Sequence, residues 1–334
     1  MTAGAPTLDT VARLAGVSRQ TVSNVLHRPE RVRPTTRQRV LDVVAQIGYR
    51  PSAPARQLAM RRATAVAVPA HRPQPEGVSG LLLDAFLHAL AEHSREAGTH
   101  VVLYPGSQDD DQEVAVLEDL LGTGAAGGVV LTGVHADDGR SAWLARRGTP
   151  LCTFGRPWGT GGSATHDWVD VDGAGGSAQA VGHLATRGRR RVGFLGWPVG
   201  SGAGDDRRHG WARESARLGV AAPDMDLACE DVADAAQAAV SARLASPDPP
   251  DALVCASDTL ALGAWRACRD LPDGPEVVGY DATPVTAALG IASVAQPVAE
   301  TAHRCLELVR ARMAGATGPP VGVLLPPRLV LPIP

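Results

Sequence analysis

The sequence predicts an α/β protein in which a small three-helix head precedes a large body of parallel sheets covered by helices. Two short apolar patterns meet at a Gly-Val turn in "VARLAGVSRQTVSNVL", Val11 to Leu26, which marks a compact helical unit. From Thr64 onward, short apolar runs alternate with amphipathic stretches, the signature of βαβ units. The charge divides at the same place. Residues 1–62 hold eleven Arg against Asp9, Glu30 and Asp42, yet the whole 334-residue chain carries only −3. A basic head on an acidic body points to a polyanion-binding module joined to something that binds no polyanion.

Within the head, Thr7 can cap a helix over Leu8–Ala15, where Leu8, Val11, Ala12 and Ala15 share one face, and Gly16 ends it. Ser18 then caps a second helix. Its Val22, Val25 and Leu26 face inward, leaving Arg19, Gln20, Ser23 and Asn24 together on the other side. A third pattern, "TTRQRVLDVVAQIGY", buries Val40, Val43, Val44 and Ile47 and stops at Gly48. Three short helices with a tight turn between the first two make a helix-turn-helix, whose second helix lies in the major groove of DNA. There Arg reaches guanine and Gln or Asn reaches adenine, so Arg19, Gln20 and Asn24 are candidate base readers. Thr7, Ser18, Thr21, Ser23, His27 and Thr36 are candidates for phosphate contacts, which fix register. The segment "RPSAPARQLAMRR" follows. It offers a short helix after Ser52 with Ala55 and Leu58 on its apolar edge, too short to be stable alone, and a plain linker is the other reading.

The body opens with "TAVAVPA" and a helix over 81–97, then "HVVLYP" and 113–121, "GGVVLTG" and 139–147, and "TPLCTFG". A second run holds "WVDVD", "RRVGFLG", "DALVCAS", "EVVGYD" and "ASVAQP", with helical stretches near 174–187, 206–218, 234–245, 258–270 and 299–314. That is more strands than one modest sheet holds. In open α/β sheets ligands bind beyond the carboxyl ends of strands. Arg207, Ser257, Asp281 and Gln296 all fall at such ends or just after them, and a guanidinium opposite a carboxylate can grip a vicinal diol. Arg207 could instead pair with Asp205 or Asp206, and Asp281 could cap a helix near Pro284. Trp168, Trp158 and Trp197 lie beside strands and suit a sugar face better than a purine, while Leu82 and Phe86 open the first body helix.

Other chemistries find little support. "GSGAG" lacks dinucleotide spacing, and neither a G-K-[ST] phosphate loop nor a G-x-S-x-G elbow occurs. His88 and His93 are five apart and off one helical face, so no metal is expected, and nothing calls for a cofactor. The five Cys are scattered and read as reduced, buried thiols. With no apolar leader and no long apolar stretch, a soluble cytoplasmic protein with no membrane partner is expected.

"TLDTVARLAGVSRQTVSNVL" followed by "VRPTTRQRVLDVVAQIGYRPSAPARQLA" resembles the N-terminal domain of the lactose-repressor (LacI/GalR) family of bacterial transcription regulators. Thr10 stands where that family usually has Asp, and His27 where it often has Asn. The resemblance implies a helix-turn-helix DNA-binding domain at 1–50 and a hinge helix at 51–63, whose Ala55 and Leu58 enter the minor groove. A two-lobed, periplasmic-binding-protein-like Rossmannoid effector domain would fill 64–334. Lobe one would take about 64–162 and 296–316, and lobe two about 163–295 and 320–334. The resemblance further implies a homodimer on a pseudo-palindromic double-stranded operator, released by a small sugar. It would place Arg207, Asp281, Trp168, Ser257, Gln296, Phe86 and Leu82 in the effector pocket. A corepressor-dependent or purine-type regulator, an effectorless nucleoid-type binder and a DNA-binding sugar-processing enzyme remain as alternatives.

Overall fold

The computed structural model describes residues 7–27, 29–47, 49, 64–71, 78, 80–107, 109–159, 164–221 and 224–332. The chain divides after residue 63 into a small head and a large body. The hinge expected at 51–63, with Ala55 and Leu58, lies outside the described residues.

In the head, α1 (Leu8–Ala15), α2 (Arg19–His27) and α3 (Pro34–Gln46) pack around Val11, Ala12, Ala15, Val22, Val25, Val40 and Tyr49. Thr10 is well suited to its place. Its amide donates to Thr7 Oγ1 at 3.2 Å and its own hydroxyl accepts from the Thr7 amide at 3.3 Å, so the departure from Asp completes a reciprocal cap. Gly16 takes a left-handed conformation, φ 61°, and the Val17 amide then reaches Ala12 O. Ser18 Oγ accepts from the Thr21 amide at 3.1 Å to start α2. Pro34, with its fixed φ and missing N–H, opens α3.

The body contains two six-stranded sheets. In the first, β1 (Ala65–Ala70), β2 (His100–Pro105), β3 (Gly128–Leu131), β4 (Leu151–Phe154), β5 (Asp167–Val171) and β11 (Gly322–Leu325) lie in the order β11-β5-β4-β3-β1-β2, all parallel. The second takes β6 (Val192–Gly196), β7 (Asp226–Ala228), β8 (Ala252–Cys255), β9 (Glu276–Tyr280), β10 (Ala292–Ala295) and β12 (Arg328–Val330), ordered β12-β10-β9-β8-β6-β7. Among the described residues, the β10–β12 pair alone is antiparallel. Helices α4 (Gly80–Glu96), α5 (Asp110–Gly122) and α6 (Gly139–Arg146) serve the first lobe. The second takes α7 (Gly173–Thr186), α8 (Ala203–Leu218), α9 (Ala233–Leu244), α10 (Asp258–Cys268) and the short α11 (Pro284–Ala288). Helix α12 (Val298–Met313) returns to pack Ala302, Cys305, Leu306 and Val309 against Phe86, Leu90 and Val130 in the first lobe.

The helix pattern matches the expected one closely, but the expected lobe boundaries need correction. "WVDVD" is expected in lobe two, yet β5 pairs with β4 in the first sheet. Among the described residues no helix stands between the two strands, so the βαβ rhythm breaks there. "LLPPRLVLP" is likewise expected whole in lobe two. Its first residues belong to β11 beside β5, and only Arg328–Val330 joins the second sheet as β12. The chain therefore crosses between lobes three times, after β5, β10 and β11.

Candidate functional site

On the head, Arg19 and Gln20 are exposed and Asn24 is half-buried. Gln20 Nε2 donates to Asn24 Oδ1 at 3.2 Å, and Arg19 Nη1 stands 3.7 Å from Asp9 Oδ2. Contacts this exposed are worth little in water. The hydroxyls of Ser18 and Thr21 lie 2.8 Å apart. Thr7 caps α1, Ser23 lies midway along α2, Thr36 is half-buried in the first turn of α3, and His27 is the last residue of α2.

Polar residues of the body converge from helix α8 and from the ends of β9 and β10. Arg207, in α8, lays its guanidinium 3.7 Å over the Tyr280 ring and 5.4 Å from that of Trp197, while Nη1 donates to Ala256 O. Asp205 and Asp206 are taken by Arg208 and Arg156, so the alternative pairing is not realised. Asp281, one residue beyond β9, accepts from Gln296 Nε2 at 2.7 Å. It does not cap α11, whose N-cap is Thr283. Burial pushes its carboxyl up to about 7, against the pull of Arg207 and with a further push from Asp258. Arg207 Nε, Trp197 Nε1 and Ser201 Oγ are buried donors with no partner among the described residues. A polar ligand in the cleft could accept from them.

Backbone strain presents Asp281. Its φ is 108° and that of Ala282 is 49°, conformations that side chains resist. Hydrogen bonds hold the turn: Asp281 N to Val294 O at 2.8 Å, Ala282 N to Ser293 Oγ at 2.9 Å, and Thr283 N to Asp258 Oδ2 at 2.6 Å. Asp258 is fully buried and also accepts from Ser293 Oγ and Thr286 Oγ1. A Cβ on Gly279 would collide with Asp258 Oδ1, so glycine there lets the anchor approach.

Several expected pocket residues are placed elsewhere. Ser257 is fully buried, its hydroxyl accepting from the Leu260 amide and donating to Asp231, so it caps α10. Phe86 is fully buried and stacks on Phe154, centroids 4.9 Å apart, as part of the first-lobe core. Trp168 sits at the amino-terminal start of β5 against Gly322, at the wrong end of the strand for the cleft. Leu82 is half-buried in the first turn of α4. Trp158 reaches from the first lobe to Gly202 of the second.

Sequence reasoning missed Tyr280, Arg156 and Asp170. The last two come from the first lobe, with Arg156 Nε 2.6 Å from Asp170 Oδ2. Their signal was position alone, just beyond β4 and near the end of β5. Asp110, His135 and Asp138 also bring ligand-type atoms within 4.8 Å of one another. Buried Arg140 occupies that cluster, 2.6 Å from Asp138 and 3.1 Å from buried Glu113, and balances its charge.

A basic-headed helix-turn-helix joined to a two-lobed α/β clamp defines the class of DNA-binding regulators with a ligand-binding type of body. Residues 7–52 match bacterial regulatory proteins of the lacI family, and residues 181–331 a periplasmic binding protein-like domain. The chain is 31% identical to the HTH-type transcriptional regulator CelR of Thermobifida fusca, over 98% of this chain and 97% of CelR. AglR of Rhizobium meliloti is 32% identical over 78% of this chain and 72% of its own. A solved complex of CelR with cellobiose superposes at a TM-score of 0.72 and 30% identity, covering 98% of both chains. The lac repressor dimer bound to operator and the anti-inducer ONPF superposes at 0.84 over 98% of both, a likeness of fold at 22% identity. The chain belongs to the LacI family of bacterial transcriptional regulators. It is a DNA-binding regulator of transcription. Among the described residues, no helix is long and apolar enough to cross a membrane.

Proposed function

We propose that this regulator represses genes for sugar uptake or catabolism and that a small sugar in the interlobe cleft releases it from DNA. The observation that carries the reading is the meeting of Arg207, Asp281 and Gln296 beside the rings of Tyr280 and Trp197. A guanidinium donor and a carboxylate acceptor suit adjacent sugar hydroxyls, and flat rings suit the C–H face of a pyranose. The cellobiose complex of CelR supports a sugar over a purine and makes cellobiose the first probe. Arg19, Gln20 and Asn24 read bases in this account. Thr7, Ser18, Thr21, Ser23, His27 and Thr36 hold the phosphates, and the hinge edge of Ala55 and Leu58 enters the minor groove. One head reads a half-site, so a homodimer faces a pseudo-palindrome. Calorimetry of the full chain against cellobiose, glucose, maltose, guanine and hypoxanthine tests the pocket. Binding of a sugar that Asp281→Ala abolishes supports the reading, whereas a purine binding in place of every sugar overturns it.

A further inference from the structure

Among the described residues, hydrogen bonds from Arg156 and Val78 and a ring contact from Trp158 join the lobes directly. Arg156, just beyond β4, directs Nη2 to Asp206 Oδ2 of α8 at 3.3 Å while its Nε holds Asp170 Oδ2 of the first sheet at 2.6 Å. The Val78 amide donates to Thr259 Oγ1 of α10 at 2.9 Å. The Trp158 indole covers Gly202, where a Cβ would come within 2.6 Å of the ring. Of the three, only the first is an ion pair, and it is shielded: Arg156, Asp170 and Asp206 are 25%, 11% and 17% exposed. Shielded pairs are screened less than surface pairs, and breaking one strands its partner charge.

We propose that Arg156 is a positioning residue that latches the two lobes and thereby sets where Arg207 meets the ligand. Asp206 precedes Arg207 in α8, and its Oδ2 also accepts from the Ala174 amide at 3.0 Å, at the start of α7. One guanidinium thus ties the end of β4 to the first turns of two helices in the other lobe. Asp172 adds a third carboxylate to the field around Arg156. Without the guanidinium, Asp170 of one lobe would face Asp206 of the other, and like charges would favour an open cleft. A ligand that needs the closed arrangement then binds more weakly by the fraction of molecules that remain closed.

The affinity arm of the test rests on the sugar-cleft reading; the scattering arm does not. Full-length wild type, Arg156→Gln, Asp206→Asn and the double variant are compared by small-angle X-ray scattering and by cellobiose calorimetry. Asp206→Asn is near-isosteric and keeps an acceptor for Ala174, which guards against a folding defect in the arginine variant. The latch predicts a larger radius of gyration for all three variants, and about tenfold weaker cellobiose binding for each single change. The double variant then loses no more than about tenfold, because both changes break one contact. Arg156→Lys, which keeps the charge but not the fork, recovers part of the loss. Scattering indistinguishable from wild type, or losses that multiply in the double variant, overturns the latch. Expanded variants from a wild type that ignores cellobiose support the latch and exclude cellobiose as the effector, whereas the sugar reading falls only if no sugar binds.

Discussion

Asp281 is the residue whose chemistry the account can be held to most closely. Burial raises its carboxyl to about 7, so on pH change from 6 to 8 it goes from about one-tenth to about nine-tenths ionised. Sugar hydroxyls donating to the carboxylate stabilise the ionised form, pulling the bound pKa down toward the ordinary range. Affinity should then rise about tenfold between pH 6 and 8, near 1.4 kcal/mol, with about half a proton released per ligand at pH 7. Isothermal titration in buffers of differing ionisation enthalpy reads both quantities. Asp281→Asn should bind more weakly and show neither dependence. The stability sign is opposite. A carboxyl whose folded pKa is raised favours the fold below its unfolded value near 4 and loses that contribution as pH climbs toward 7. Asp281→Asn should therefore gain melting temperature relative to wild type between pH 5 and 8. Wild-type affinity that stays flat from pH 6 to 8, or a slope that survives Asp281→Asn, refutes the assigned contact.

Further outcomes concern the head, the hinge and the buried network. Arg19→Ala and Asn24→Ala should each relax preference at one base per half-site by about 1–3 kcal/mol in competition binding; unchanged preference in both removes them from the groove. Leu58→Ala should weaken operator binding and reduce bending in a phasing assay while leaving sugar affinity alone, and wild-type bending would make the segment a tether. Glu113→Ala leaves Arg140 paired with Asp138 but removes its second carboxylate and the 2.8 Å acceptor of the Tyr104 hydroxyl, so urea denaturation should show a loss of about 1–3 kcal/mol. A loss under 1 kcal/mol would mean that water replaces the carboxylate.

Periodicity made the helices legible because a 3.6-residue apolar repeat survives in any sequence whose helix covers a core. Val11, Val22 and Val40 were found that way, and all three are fully buried. Phe86 was open to the same logic: with Leu90 it forms an apolar i, i+4 pair, and both face the core. Ser257 also carried its own signal, since a Ser before "DTLALGAW" is an N-cap pattern. Loops have no period, so nothing local distinguished Arg156 from any other arginine after a strand. Trp168 failed for a related reason. Which end of a strand a residue occupies depends on where the loop begins, and among the described residues no helix between β4 and β5 marks it. Asp281 and Gln296 were legible because both sit where apolar runs stop, and the strained turn then brings their side chains together.

The central claim is that a sugar in the cleft and the operator compete for one protein through a shared coupling free energy. Fluorescence anisotropy of a labelled pseudo-palindromic operator, titrated with cellobiose against wild type and Asp281→Ala, tests it most directly. The sugar should lower wild-type operator affinity, and Asp281→Ala should bind operator as wild type does but ignore the sugar. Sugar that tightens operator binding, or an Asp281→Ala protein that releases operator at the wild-type sugar concentration, would contradict it.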